Sequence, residues 1–404
     1  MTVTTSNPTF RDALRVREFR WLWIADTQSA LGDQLTRVAI AVLVFSKTGS
    51  AALTALVFGM SYLPALIGGV FLSGLADRYP RRTVMVTCDV TRGVLVASIA
   101  FFTLPTAAVC VVVAVNSVLS SLFASAENAS LPEILARETF PVANALRATT
   151  NQLSQLIGFA LGGIVVAVLG ARTGLAADAV TFGVSAALLR GGLKWRPATF
   201  VELDGEYLRS IANATRGLFA DRYLRLLAYM IWMSACYTLQ EGMASPYAHS
   251  VGAGSIGTGL LLAATPAGTA VGAYALSHLL NDRQRSFAMP RLAIAAGVPL
   301  MLCAFHPGLG VSVLLWSLTG LFGAYFVQAI TLFTSRIGNQ SRGQTIGLAA
   351  AALATAQGIA MPLGGVVADQ LGVARAVAIS GAIGAGLAVL LLRRWTKQSP
   401  STSH

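Results

Sequence analysis

The stretch Gly74-Leu-Ala-Asp77-Arg78-Tyr-Pro-Arg81-Arg82 is a short, strongly charged turn between two long apolar runs. One Asp and three Arg between two such runs belong in water or at lipid headgroups, because charges inside hydrocarbon are expensive. Gly74 lets two helix ends approach closely. A basic turn that only sets topology is the plainest account of this stretch. The spacing G-x-x-D-R-x-x-R-R, placed after the second apolar run, asks for a more specific one.

The apolar runs around it fix the class. The chain has 404 residues, is 55% hydrophobic and only 11% charged, with a mean hydropathy of +0.66. Soluble domains carry about 25% charged residues, so this is a membrane protein. A helical span needs roughly 20 apolar residues. Twelve candidates occur, at 21–45, 52–76, 83–104, 107–128, 145–169, 174–193, 223–248, 256–280, 289–305, 310–334, 344–369 and 374–394. Only helices satisfy their own backbone in lipid when the sheet is not closed, so an all-α membrane protein with 12 transmembrane helices is expected. Residues 1–20 are polar and Arg-bearing, with no apolar core of a cleavable signal peptide.

Net charge is +12, which raises the question of a nucleic-acid partner. The distribution answers it. Of the 29 Lys and Arg, 24 fall on one side of the expected spans, and only Lys47, Arg172 and Arg375 on the other. Arg37 and Arg92 lie in or at the edge of spans. Positive charge collects in cytoplasmic loops. Both termini and the loops after spans 2, 4, 6, 8 and 10 are therefore expected in the cytoplasm, in an inner (cytoplasmic) membrane, and no nucleic acid is implied.

The loop at 194–222 divides the chain into an N-terminal bundle (1–193) and a C-terminal bundle (223–404). Within it Leu208, Ile211, Ala212, Leu218 and Phe219 recur at helical spacing between Arg209, Arg216 and Arg222. That pattern predicts an amphipathic helix at the membrane interface; a plain linker is the alternative. The halves repeat: Leu161-Gly-Gly163 and Leu169-Gly170 match Leu363-Gly-Gly365 and Leu371-Gly372, 202 positions on, and Gln155 matches Gln357. A weaker copy of the charged turn, Asp282-Arg283-Gln-Arg285, lacks the glycine three residues before its Asp.

The charged turn resembles the signature loop of the major facilitator superfamily, and more of the chain agrees. Leu31-Gly32-Asp33-Gln34, Thr48-Gly49-Ser50, Leu63-Pro64, Asp89-x-x-Arg92, Leu131-Pro132-Glu133 and Ala143-Asn144-Ala145-Leu146 look like its drug-exporter branch, that of macrolide-efflux proteins and siderophore exporters. Two six-span halves in parallel orientation are that superfamily's architecture. The resemblance implies an exporter of lipophilic or amphipathic small molecules, exchanging substrate for protons as it opens to alternate sides. It implies a central cavity lined by spans 1, 4, 7 and 10. It also implies a conformational lock in which Gly74, Asp77, Arg78, Arg81 and Arg82 take part, with Asp77 against the start of span 11 and Arg81 paired to Glu127. A lysophospholipid flippase of the same fold, or a non-transporting receptor built on it, are the alternatives.

Several residues can carry chemistry. Asp26, Asp33 and Arg37 share one face of span 1. Asp33 near mid-span is a candidate proton carrier, with Arg37 one turn away as its ion-pair partner, a gate, or a contact for an anionic substrate; a purely structural pair is the plain alternative. Asp26 is a further proton-coupling candidate. Span 7 carries Ser234, Tyr237, Glu241 and Ser245 in a second polar stripe, with Glu241 the other proton candidate. Asn116 and Ser120 on span 4, and Trp316, Tyr325 and Gln328 on span 10, are candidate cavity residues. Asp89 and Arg92 are expected to pair near the start of span 3 and support the signature loop. Asp178 and Asp369 are expected near the far ends of their spans, in water. Pro64, Pro266, Pro299 and Pro362 interrupt spans. Cys88, Cys110, Cys236 and Cys303 show no paired spacing, and no metal site or cofactor is expected, protons being the coupling ion. No phosphate-binding loop of the G-x-x-x-x-G-K-[ST] type occurs, and the chain is not read as an enzyme. A monomer in the bilayer, acting on a small-molecule substrate, is expected.

Overall fold

A computed structural model of the chain describes residues 8–64, 78–197, 215–337 and 342–395. Gly74, Asp77, Leu208, Ile211 and Ala212 lie outside the described residues. The described residues are helical almost throughout and hold no strand. Nine of their helices are long and apolar enough to cross a membrane.

A short α1 (Phe10–Arg15) leads into α2 (Arg17–Thr48), α3 (Ala51–Gly59), α4 (Arg81–Phe101), α5 (Thr106–Ile134), α6 (Phe140–Leu169) and α7 (Ala171–Gly192). The second half runs through α8 (Arg222–Met233), α9 (Ala235–Gly242), α10 (Ala244–Ser250), α11 (Gly254–Leu279), α12 (Asp282–Leu302), α13 (Leu309–Gly323), α14 (Tyr325–Arg336), α15 (Arg342–Leu371) and α16 (Val373–Trp395). The seventh expected span, 223–248, is thus three short helices in line rather than one. The tenth breaks once, at Ala324.

Local chemistry sets the ends. Gly49 takes a left-handed φ of 66° and closes α2; Ser50 then starts α3 by accepting from the Leu53 backbone N–H. The repeated Leu-Gly pairs make equivalent turns: Gly170 has φ 85° and Gly372 has φ 92°. Of the four interrupting prolines, only Pro64 follows a real break. There α3 stops at Gly59 and residues 60–63 form a turn, since a proline ring excludes the preceding helical backbone. The helices continue through Pro266, Pro299 and Pro362.

The two halves pack alike. In the first, α4 lies on α7, and α2 on both α6 and α7; in the second, α12 lies on α16 and α11 on α13. Contacts between the halves gather in two seams, α6 with α11 and α3 with α15. The repeated glycine pair builds both. A Cβ on Gly163 would meet the Gly259 backbone at 2.8 Å, and one on Gly365 would meet Ala52 at 2.6 Å. Their neighbours face inward within each half: Gly162 packs on Leu35 and Val38, Gly364 on Leu239 and Met243. Only a residue without a side chain lets these backbones approach so closely, the usual basis of helix contact in lipid.

Both seams lie toward the face that carries the Gly49, Gly170 and Gly372 turns, opposite the N-terminus. At that face Asp369, at the end of α15, accepts from Ser50 Oγ at 2.7 Å and from the Ala51 and Ala52 backbone N–H groups at 2.7 and 3.2 Å. Asp369 is exposed, as expected, but it is bonded: it caps the first turn of a helix from the other half. The described end of the linker, 215–220, is helical, with Leu218 buried and the Phe219 ring 6.3 Å from that of Trp232.

Candidate functional site

Asp33 sits halfway along α2, about 24 Å from its start at 1.5 Å per residue. It borders a cavity of about 160 Å³ between α2, α4 and α5, which Arg37, Arg92, Asn116 and Ser120 also line. A second space of about 460 Å³ continues from it toward the N-terminal face, past Asp26, Glu127 and Arg147. Apolar walls (Ile40, Val96, Ile99, Val113) face these polar groups, the mixture that suits an amphipathic small molecule.

The ion pairing differs from the sequence expectation. Asp33 pairs with Arg92, not Arg37: Arg92 donates to both carboxylate oxygens at 2.7 and 2.9 Å. The same guanidinium donates from Nε to Asn116 at 3.2 Å, lies 3.8 Å from Asp89, and stacks 4.3 Å above the Phe182 ring. Asp89 is fully buried and accepts from Ser185 at 2.5 Å. Asp89 and Arg92 therefore belong to the interior network, two to three turns inside α4, and do not support the signature loop. The rise of a helix explains this: residues 8 and 11 positions after Arg81 lie about 12–16 Å further along its axis.

Arg37 turns the other way. It donates to the Tyr62 hydroxyl at 3.4 Å, with its guanidinium 5.4 Å from that ring, and Tyr62 in turn donates to Glu241 at 3.1 Å. The turn before Pro64 is what swings Tyr62 into this position. Arg37, Tyr62 and Glu241 form a polar bridge between the halves at mid-depth.

Glu127 pairs with Arg147 rather than with Arg81, and Arg147 also lies 3.9 Å from Asp26. Arg81 instead pairs with Glu133 at 2.6 Å and donates to the Ala129 carbonyl at 2.5 Å. Arg82 donates to the Leu193 carbonyl at 3.1 Å. Glu127 lies almost two turns deeper than Glu133 and is only 2% exposed, beyond the reach of a side chain rooted at the start of α4. Arg78 lies in the described part of the turn and is exposed.

The aromatic candidates of the second half do not line the cavity. Tyr237 is buried and donates to the Ala293 carbonyl at 2.6 Å. Tyr325 is buried and donates to the Met230 carbonyl at 3.4 Å. Trp316 is fully buried, its ring 5.7 Å from that of Tyr247. All three cement helices within their own half. Gln328 is half-buried on α14.

Asp178 is the largest departure. It is completely buried, not in water, and accepts from Thr36 at 2.6 Å and Thr181 at 2.9 Å. Three groups of the site, Thr36, Tyr62 and Arg147, escaped the sequence reading, and Asp178 entered it only as a solvated residue. Asp178 and Arg147 each fell inside an expected span, at 174–193 and 145–169, and that position was the available signal. Six carboxylates (Asp26, Asp33, Asp89, Glu127, Asp178, Glu241) thus share the interior with three guanidiniums (Arg37, Arg92, Arg147). Among the described residues no group of His, Cys, Asp and Glu could hold a metal ion.

Similar proteins agree with this architecture. The multidrug efflux pump Tap of Mycobacterium tuberculosis is 28% identical over 369 residues, covering 86% of each chain. Macrolide efflux protein A of Streptococcus pyogenes is 21% identical over 387 residues, covering 91% of this chain and 93% of that one. Among solved structures, the nucleoside transporter NupG superposes with a TM-score of 0.72 at 15% identity, over 94% of this chain and 99% of that one. A POT family transporter in complex with 5-aminolevulinic acid gives 0.76 at 9% identity, over 94% and 96%. Residues 22–296 match the family model described as Major Facilitator Superfamily, and with its helical, multi-pass membrane fold and its interior charged cavity the chain belongs to that superfamily of transporters.

Proposed function

We propose that the protein is a secondary exporter of lipophilic or amphipathic small molecules, driven by protons and working by alternating access between its two halves. The observation that carries this reading is the mid-membrane cavity in which Asp33, Arg92 and Asn116 meet apolar walls. Burying a carboxylate without a counter-charge is costly, and among the described residues the interior holds three more carboxylates than guanidiniums. Bound protons or a cationic substrate balance that excess, so entry of one and exit of the other are coupled. The efflux names of Tap and macrolide efflux protein A, together with the coverage of both chains, support the export direction.

In this reading the halves are 1–193 and 223–404, joined by 194–222, and the Arg-rich face with both termini is cytoplasmic. The two glycine seams and the Asp369 clasp then seal the outer face, and the described state opens toward the cytoplasm. The Arg37–Tyr62–Glu241 bridge sits where the halves must separate when the outer side opens.

The test uses inverted membrane vesicles with an inside-acid proton gradient and a panel of lipophilic dyes and antibiotics. Wild type should accumulate at least one probe in proportion to the gradient. Asp33→Asn should lose that accumulation while inserting and folding normally. Full gradient-driven uptake by Asp33→Asn removes Asp33 from the coupling, and absence of any uptake by wild type removes the proton-driven export reading.

A further inference from the structure

Asp33 has a cation of its own; Asp178 has none. No guanidinium or ammonium of the described residues lies within ion-pair distance of the Asp178 carboxylate, which is 0% exposed. Its hydrogen-bonding partners are hydroxyls: Thr36 Oγ1 on Oδ2 at 2.6 Å and Thr181 Oγ1 on Oδ1 at 2.9 Å. The chain makes room for it. Gly32 on α2 faces it so closely that a Cβ there would collide with the carboxylate. One of its two partners opens outward: Thr36 lines the central cavity beside Asp33 and Arg37. Thr36 therefore stands between the cavity and a carboxylate sealed behind it.

We propose that Asp178 is a proton-binding site of this protein, loaded and unloaded from the cavity through the Thr36 hydroxyl. The transfer balances without a further reactant. Thr36 passes its hydroxyl proton to Asp178 Oδ2 and takes one from a cavity water or hydronium; unloading runs in reverse. A bare carboxylate with two neutral donors and no counter-ion is expensive at this depth, whereas the protonated acid is neutral and keeps both threonines bonded. The charged groups that bear on Asp178 from the packed helices are Asp33 on α2 and Arg92 on α4. Asp89 on α4 is taken up by Ser185 one to two turns further along α7, and Arg172 at the start of α7 donates to Thr103. Arg92 is bound to Asp33 in this state, so any change in that pair alters the field at Asp178. Proton occupancy of Asp178 is thus tied to the state of the Asp33–Arg92 pair. Its place in a transport cycle rests on the exporter reading above; its protonation does not.

Infrared difference spectroscopy of the purified protein in lipid tests this without any substrate. Wild type should show a protonated-carboxyl C=O band that Asp178→Asn removes and that fades as pH is raised. In D2O that band should shift at a rate slowed at least tenfold by Thr36→Val and restored by Thr36→Ser. A band unchanged in Asp178→Asn overturns the site. A band that never fades with pH makes Asp178 a permanently neutral staple and also overturns it. Equal exchange rates in Thr36→Val and wild type overturn the route. Wild-type vesicles that transport nothing would defeat the exporter reading while leaving these three outcomes decisive.

Discussion

The two halves share a backbone and divide the chemistry. The first half buries Asp89, Glu127 and Asp178 and half-buries Asp26 and Asp33, among Arg37, Arg92 and Arg147. In the interior of the second, Glu241 is the carboxylate in the network, and it is reached through Tyr62 from the first half. The 202-residue offset that aligns the glycine pairs carries Asp178 onto Ser380, whose hydroxyl merely bonds back to Val377 of its own helix. Where the first half uses ion pairs, the second uses Tyr237, Tyr325 and Gln240, each donating to a carbonyl or a hydroxyl. Pseudo-symmetry therefore preserves how helices pack, which small residues dictate, and leaves the polar positions free to diverge. The difference gathers the interior ion pairs in the first half and leaves the second a largely apolar counterpart.

The largest effect should come from breaking the charged side of that contrast. Arg92→Met leaves the buried Asp89 and the half-buried Asp33 without their cation, an uncompensated charge that costs about 3–5 kcal/mol. Thermal unfolding in detergent should show it, and adding Asp33→Asn should recover part of the loss. Full stability of Arg92→Met would mean that the network is not an ionic one.

The seams should respond alike in both halves. Gly163→Leu and Gly365→Leu each force a side chain into a backbone contact, with overpacking worth about 1–3 kcal/mol. Both should disfavour closure on the face opposite the N-terminus, read as faster labelling of cysteines placed along the cavity by a membrane-impermeant reagent from that face. A marked effect from only one of them would show that the seams are not equivalent.

The clasp at that face is smaller. Asp369→Ala removes a helix cap, about 1 kcal/mol, and should shift the same labelling in the same direction by a few-fold. Asp369→Asn, which keeps an acceptor, should shift it less. Smallest of all, Tyr237→Phe deletes one buried hydroxyl bond, about 1 kcal/mol of stability or less, and should leave vesicle uptake unchanged. Loss of uptake there would return Tyr237 to the cavity and weaken the division between halves.

Much of this was legible before the structure. The run of apolar segments, the Leu-Gly-Gly repeat and its Leu-Gly turn were all visible as pattern, because lipid enforces length and composition and because close helix contacts require glycine at particular positions. The candidate site was legible as a set of residues and illegible as a set of partners. Asp33, Arg37, Asp89, Arg92 and Glu127 stand out in the sequence as charges, yet their spacing and family resemblance point to Asp33–Arg37, Asp89 with the signature loop and Arg81–Glu127 as pairings. Spacing along one helix suggested the first; the structure gave Arg37 to Tyr62 instead, since the break before Pro64 presents a hydroxyl and a route to Glu241. Near a span end in the linear chain, Asp178 reads as solvated, whereas the packing of α7 on α2 buries it against Gly32.

The sequence by itself determined a membrane protein of many helices, its doubled architecture, the face on which its positive charge collects and the residues able to carry charge inside it. These follow from local chemistry: apolar length, Lys and Arg placement, glycine and proline. Only the tertiary structure decided which acid meets which base, which carboxylate meets hydroxyls instead, and which face the two halves close. Those depend on distances between helices far apart in the chain, and an ion pair or a hydroxyl bond exists only within a few ångströms that no spacing along a single helix can specify.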